Sequence, residues 1–541
     1  MSIFSTFVQK KRKLSKYISA SEFENFMKND LVCDWLSIVM PKKVDKHPLQ
    51  LLFNKGINYE AEVIDKLRKK LKLLLPKLSS LSTSREYTDF EHQTDLKNTL
   101  HEMKNGESII YSPFIATEKE ELRGIPDLLV RNDYIYRYFN VEVPEGESVF
   151  GSYYYIPIEI KYSSLHFDKS GHTLSNIHRT KIYKNQLCVY SKILSDIQGT
   201  FPCCSFIIGK DYLKDEKVGH VYFQTRDNEI VSLFYKGLEW LRNVRKNAYK
   251  WDLTQTSTII SLLPNMKVSH PLYDQEKKMI AEHIGEITEF WQCSIKHRYN
   301  VLDQTNEQIY SWKDSRFDIS MLNIGQSYLE KVDRLIKINR EDIEPIYPKK
   351  IKHNLYDWRM PSNEIYVDFE TVGNIEENEE STIYLIGVYS DTYTYFLADS
   401  ISLSSEKNIV LSFYQFWKEL GKPKIWNWYA EETFWNRVCK KYDLTLPIIW
   451  VDLYKVFFEG DVMVKGCKNF KLKSYVNALL EMRKIDIQLP NSNCCKGLDA
   501  LFMGLEYYET KEKEILDDIL TYNKFDCESL KILLKFIRKE L

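Results

Sequence analysis

The stretch that most constrains the fold is Glu364 to Ala398. Three apolar, β-prone runs, Glu364 to Phe369, Thr382 to Tyr389 and Thr392 to Ala398, follow one another closely. Strands met in this way usually pair as neighbours. The first run reads Ile365-Tyr-Val-Asp368-Phe-Glu370. Its alternation sends the carboxylates of Asp368 and Glu370 out of the same face of one strand. The pattern then changes. A helix is predicted at Asn408 to Leu420, a strand at Lys424 to Trp428 and a helix at Glu431 to Lys441. An apolar run, Leu446 to Leu453, follows, and the chain closes on a helical region with Leu530, Leu533, Leu534 and Ile537. Three strands and then alternating helix and strand predict a mixed sheet flanked by helices over 362–541.

More acids belong to this region. Glu431 sits where the strand Ile-Trp-Asn427-Trp gives way to a helix, beside Glu432. Asp452 ends the run Pro-Ile-Ile-Trp-Val, and Tyr522 and Asp526 stand one helical turn apart on a shared face. Carboxylates converging on one sheet edge repel, and metal ions are the simplest compensation. Two ions clamp the attacking and leaving oxygens of an in-line displacement at phosphorus.

A second acidic set lies some 240 residues earlier. It comprises Gly124-Ile-Pro-Asp127, then Glu159-Ile-Lys161, then Gln186-x-x-x-Tyr190. Asp127 follows a turn and opens the apolar Leu-Leu-Val. Glu159 and Lys161 are two apart in a strongly β-prone run, Tyr153 to Tyr162, so they share a face. Asp127 and Glu159 are oxygen ligands of the kind Mg²⁺ requires. Lys161 is placed to orient water or to neutralise charge growing on a phosphate. Gln186 and Tyr190 are four apart on the predicted helix Ile182 to Leu194.

Both sets resemble known nuclease motifs. Gly-x-Pro-Asp, Glu-x-Lys and Gln-x-x-x-Tyr in this order resemble the RecB-like branch of the PD-(D/E)xK nucleases. That resemblance covers roughly 20–235 and implies a restriction-endonuclease-like α/β core. It also implies an acidic residue on an early helix, for which Gly56-Ile-Asn-Tyr-Glu60, on the predicted helix Tyr59 to Leu75, offers Glu60. The later set resembles the DEDD exonucleases of the DnaQ-like, RNase H-fold superfamily, in the variant ending Tyr-x-x-x-Asp. It covers roughly 362–541. By this resemblance Asp368 and Glu370 form the first motif, Asp526 and Tyr522 the last, and Tyr522 orients the attacking water. The second motif departs: relatives usually have Asn-x-x-x-Asp, and here Asn427-Trp-Tyr-Ala-Glu431 stands instead. The implied metal ligands are Glu60, Asp127, Glu159, Asp368, Glu370, Glu431, Asp452 and Asp526, with Mg²⁺ or Mn²⁺ as the cofactor. Some RecB-like relatives carry a four-cysteine iron–sulfur cluster, and that cysteine pattern is not found here, so no cluster is expected.

The 541 residues allow two to four domains. The expected division is 1–235, 236–361 and 362–541. The middle part is mostly helical, with Ile280, Ile284, Ile287 and Trp291 at helical spacing. It weakly resembles a helix–hairpin–helix module that would offer Lys296, His297 and Arg298 to phosphates, a plain helical connector being the alternative. Pro345, Pro348 and Pro361 mark the connector that follows.

A net charge of −1 does not oppose a nucleic-acid partner, which needs local positive surface only. The clearest basic run is Lys10 to Lys13, with Lys16. Ten scattered cysteines without Cys-x-x-Cys spacing, no signal-peptide pattern and no apolar run of ~18 residues predict a soluble, intracellular chain with free thiols and no membrane span. The expected function is a metal-dependent nuclease with two catalytic domains, DNA favoured over RNA, and exonucleolytic at the C-terminal site. The alternative is a nucleic-acid-binding or scaffold protein in which one or both sites are inactive.

Overall fold

The computed structural model describes residues 14–42, 47–71, 89–253, 256–340, 344–373 and 381–541. The basic run Lys10 to Lys13 and the expected helix end at Leu75 lie outside these residues. The chain divides into two compact units at Ala281/Glu282, except that residues 47–51, which open the helix His47–Leu71, group with the second. That division falls inside the helical stretch 236–361, and not at the proline-bearing connector.

The first unit is built on a five-stranded mixed sheet. Its strands are β1 (Ile109–Tyr111), β2 (Leu128–Arg131), β3 (Tyr155–Ile160), β4 (Ser205–Ile208) and β5 (Val218–Val221), in that spatial order. Only β3 and β4 run parallel. Every residue of β3 is buried. Pro157 is tolerated in this central strand because its paired run with β4 begins one residue later, at Ile158 and Phe206. Helix α1 (His47–Leu71) lays Tyr59, Val63, Ile64 and Leu67 against Leu128, Val130, Ile156 and Ile158. Its last turn holds Arg68, Lys69 and Lys70, where cations suit the helix dipole. Helix α2 (His178–Gln198) carries Gln186 and Tyr190 and stops at Gly199, whose φ of +74° forms a left-handed C-cap.

The second unit carries another five-stranded mixed sheet. Strands β6 (Glu364–Val372), β7 (Thr382–Tyr389), β8 (Tyr393–Leu397), β9 (Lys424–Asn427) and β10 (Trp450–Asp452) stand in the order β8-β7-β6-β9-β10. The hairpin pairs are antiparallel; β9 and β10 join in parallel. The register of β6 on β7 shifts between Glu370 and Thr371, directly after the second strand carboxylate. Helices α3 (Leu403–Glu419), α4 (Glu431–Lys441), α5 (Leu453–Glu459), α6 (Leu472–Glu481), α7 (Gly497–Thr510) and α8 (Lys513–Glu540) follow. Helix α8 buries Tyr522, Asn523, Asp526, Leu530, Leu533, Leu534 and Ile537. One core joins residues of 287–358 with the sheet and α8, so Trp358, Tyr366, Trp426 and Leu533 belong to the same apolar cluster.

The helical spacing from Ile280 to Trp291 does not persist as one helix. The helix Asp274–Ile284 ends at Gly285, whose φ of +73° breaks it, and Ile287–Glu289 is a short 3₁₀ turn. Of the basic trio, Lys296 is exposed, whereas the other two are engaged within the fold. Arg298 is buried in an ion pair with Glu286 at 3.2 Å, and His297 Nδ1 accepts from the Ser294 N–H. Lys16 is likewise engaged, by Glu118. No helix among the described residues is long and apolar enough to cross a membrane.

Candidate active sites

In the first unit, Asp127 immediately precedes β2 and Glu159 is the penultimate residue of β3, so sheet pairing brings them together. Asp127 Oδ2 accepts from the Ile160 N–H at 2.5 Å. Glu159 is 1% exposed and forms an ion pair with Lys161 Nζ at 2.5 Å. Burial, and then the charge of Glu159, push the Asp127 carboxyl up to about 8, against the opposing pull of Lys161. The Lys161 ammonium is raised by the two carboxylates, Glu159 most, despite its own burial.

The Gln-x-x-x-Tyr pair reaches this site from α2. Gln186 Nε2 donates to Tyr190 Oη at 2.8 Å and more weakly to Glu159 Oε1 at 3.4 Å. Tyr190 Oη donates to the Ile125 carbonyl at 3.3 Å. The glycine of Gly-x-Pro-Asp has a steric reason here. A Cβ at Gly124 would lie 2.2 Å from the Tyr190 ring, so only glycine leaves room for it. Glu60 Oε1 accepts from Tyr111 Oη at 2.8 Å, and Tyr111 pairs with Leu128, next to Asp127.

In the second unit, Asp368 and Glu370 project from the central strand β6, and Tyr522, Asn523 and Asp526 face them from α8. Burial raises the Asp368 carboxyl well above its usual range, and the charges of Glu370, Asp526 and Glu431 add to it. Burial and Asp526 push Glu370 up to about 8. Asp526 rises to about 6 and Glu431 to about 7, both through burial first. These shifts describe buried negative charges that lack sufficient compensation.

Glu431 opens α4, and its Oε2 accepts from Asn427 Nδ2 at 3.1 Å. Glu431 is 5% exposed, whereas Glu432 turns partly to solvent. One oxygen of Asp452, an expected metal ligand, is engaged by the backbone. Its Oδ1 accepts from the N–H groups of Tyr429, at 3.1 Å, and Tyr454, at 3.0 Å, capping α5. Tyr429 needs that anchor, because its φ of +81° is unfavourable for an aromatic residue.

Sequence reasoning missed three residues of this site. Lys473, on α6, places Nζ 3.5 Å from Asp526 Oδ2 and 3.5 Å from the centroid of the Tyr522 ring. Asn523 bonds both strand carboxylates. Gly387 faces Asp368 across the β6–β7 pair. A signal did exist: a polar residue on the buried side of a helix, and a lone glycine inside a β-prone run.

Mg²⁺ or Mn²⁺ is the implied cofactor. Among the described residues, no three His, Cys, Asp or Glu side chains stand so as to close round one ion. The donor chemistry nonetheless fits a hard cation. Buried Asp526 Oδ1 and Asn427 Oδ1 accept no hydrogen bond among the described residues, and the carboxyls around them carry unbalanced charge.

The second unit is a mixed sheet whose central strand presents paired carboxylates to a C-terminal helix. Residues 365–538 match the family model RNase_H_2, of the RNase_H superfamily, so the C-terminal domain is RNase H-like. No curated protein matches the chain.

Proposed function

We propose that this protein is a metal-dependent nuclease with two separate catalytic sites, acting on DNA in preference to RNA and from a strand end at its C-terminal site. The observation that carries this reading is the cluster of Asp368, Glu370, Glu431 and Asp526, gathered at the face of an RNase H-like sheet. Asp368 is part-buried and the other three are almost fully so. Buried like charges are costly, and a chain retains them where a cation or a reaction needs them.

Asp368, Glu370, Asp526 and Glu431 would hold Mg²⁺ or Mn²⁺ at this site. Bound there, the ion supplies polarisation of the scissile phosphate and offsets charge growing in the transition state. Tyr522, one helical turn before Asp526, positions the attacking water. Lys473 adds a positive charge beside Asp526 and over the Tyr522 ring. Asp452 holds the Tyr429 backbone, which sets the path from Asn427 to Glu431.

For the first unit, helix α1, the sheet and helix α2 around β3 support the RecB-like reading. There Asp127 and Glu159 would hold the ion, with Glu60 nearby through Tyr111, and Lys161 neutralises charge on the phosphate. Gln186 and Tyr190 fix the Glu159 carboxylate and the Gly-x-Pro-Asp turn.

The test is cleavage of end-labelled single- and double-stranded DNA and RNA with Mg²⁺ or Mn²⁺. Wild type is compared with Asp368→Ala, Glu159→Ala and the double variant. Loss of all cleavage in the double variant is expected. Full activity in that variant would show that neither carboxylate set is catalytic.

A further inference from the structure

Asp368 and Glu370 present two carboxylates from one face of β6, and nothing in a strand keeps such neighbours from turning apart. Asn523 lies opposite them on α8 and has no solvent exposure. Its Nδ2 stands 2.9 Å from Asp368 Oδ2, 3.2 Å from Glu370 Oε1 and 3.3 Å from the Asp368 carbonyl. One amide nitrogen therefore addresses one oxygen of each carboxylate. An amide does this without adding charge, which a lysine or an aspartate could not.

The other end of the side chain is held as well. Asn523 Oδ1 accepts from the Tyr393 hydroxyl at 2.9 Å. The Tyr393 hydroxyl donates to Oδ1, and ionised carboxylates, the forms that hold a cation, only accept, so the NH₂ group faces β6. The space for Oδ1 exists only because residue 387 is glycine. A Cβ at Gly387 would lie 1.6 Å from that oxygen, and Gly387 is directly across the strand pair from Asp368. Gly387 has no left-handed φ, so backbone conformation does not require glycine there; the amide does.

We infer that Asn523 is a positioning residue that sets the mutual orientation of the Asp368 and Glu370 carboxylates for the divalent cation, with Gly387 as its notch and Tyr393 as its anchor. This rests on the nuclease reading of the C-terminal site. Groups that orient metal ligands typically contribute ~10–100-fold to metal affinity or activity.

The experiment uses the full chain carrying Glu159→Ala, so that Mn²⁺ binding and cleavage report on the C-terminal site, and measures Mn²⁺ binding by calorimetry, cleavage kcat and KM, and the thermal melt. Asn523→Ala should weaken Mn²⁺ binding by about tenfold or more and lower kcat, with KM for nucleic acid nearly unchanged. Tyr393→Phe removes a single hydroxyl and should move both quantities in the same direction by a smaller factor. It keeps the inference testable if Asn523→Ala fails to fold. A purely packing role would lower the melting temperature while sparing Mn²⁺ affinity and kcat, and that result overturns the inference. Asp368→Asn separates the two levels. If it abolishes Mn²⁺ binding while Asn523→Ala and Tyr393→Phe stay within twofold of the Glu159→Ala parent, the positioning role alone falls. If it too leaves Mn²⁺ binding unchanged, the reading of the site falls with it.

Discussion

In the first unit the strand that carries Glu159 is followed at once by its counter-charge, Lys161, 2.5 Å away; in the second, Asp368, Glu370, Glu431 and Asp526 crowd together and their cation, Lys473, arrives from another helix and stands 3.5 Å from Asp526. In the first set Glu159 finds its counter-charge within three residues of sequence, although Asp127 beside it is still pushed up to about 8. The second depends on charge brought from elsewhere. Its carboxyls are pushed to about 6, 7 and 8 at Asp526, Glu431 and Glu370. Four of the second set's carboxyls, Asp368, Glu370, Glu431 and Asp526, are raised, against Asp127 in the first, so an added cation is expected to do more for the folded state of the second unit.

Removing a ligand gives the largest expected effect. Asp368→Asn should cut end-directed cleavage by at least about a hundredfold, beyond the ~10–100-fold of residues that merely support a ligand. Glu159→Gln should leave end-directed cleavage unaltered if the two sites are independent. An equal loss in both variants, read from a 3′- or 5′-labelled strand, would collapse the distinction between them.

Stability against pH comes next. A carboxyl whose folded value is raised contributes stability that is present below its unfolded value and lost as pH rises through the folded one. Metal-free protein should therefore melt at a lower temperature at pH 8 than at pH 5. Mn²⁺ should restore more at pH 8 than at pH 5. Glu370→Gln should flatten this dependence more than a substitution at the locally paired Glu159. Melts in chelator that rise with pH across this range would contradict the electrostatic contrast.

Two further substitutions probe orientation and have smaller effects. Tyr522→Phe should slow cleavage about tenfold while leaving Mn²⁺ affinity nearly unchanged, since general positioning of water, and not ligation, is lost. Gly124→Ala should disturb the Tyr190 ring and destabilise the first unit by about 1–3 kcal/mol, the usual cost of overpacking, without changing end-directed cleavage. The smallest effect belongs to Glu432→Gln, within about 0.5 kcal/mol in stability, against a clear loss for Glu431→Gln. Sensitivity at Glu432 and tolerance at Glu431 would move the ligand by one residue.

The local features were legible because local rules decide them. Alternation placed Asp368 and Glu370 on one strand face, and the strand Thr382–Tyr389 and helix Glu431–Lys441 stand where their patterns put them. Helical spacing from Ile280 to Trp291 misled because one left-handed glycine, Gly285, outweighs a periodic run. The joining of 282–361 to the C-terminal core was hidden, since which helix packs on which sheet is a long-range outcome. The partners of Lys473 and Asn523 were hidden for the same reason, although a polar residue on the buried side of a helix was a signal for Asn523. Each meets its carboxylate only after the chain has closed, and Asn523 lies 155 residues from Asp368.

The glycine notches carry a consequence for judging damaged or diverged copies of such a chain. A copy can keep every acidic residue and still be silent if position 387 gains so much as a methyl group, because Asn523 then loses its seat. Position 124 plays the same part for Tyr190 in the other unit. On the nuclease reading, counting carboxylates therefore overstates how many copies can cut. A single glycine change, electrically neutral, offers a clean separation-of-function allele, switching off one half of the molecule while leaving its charge pattern intact.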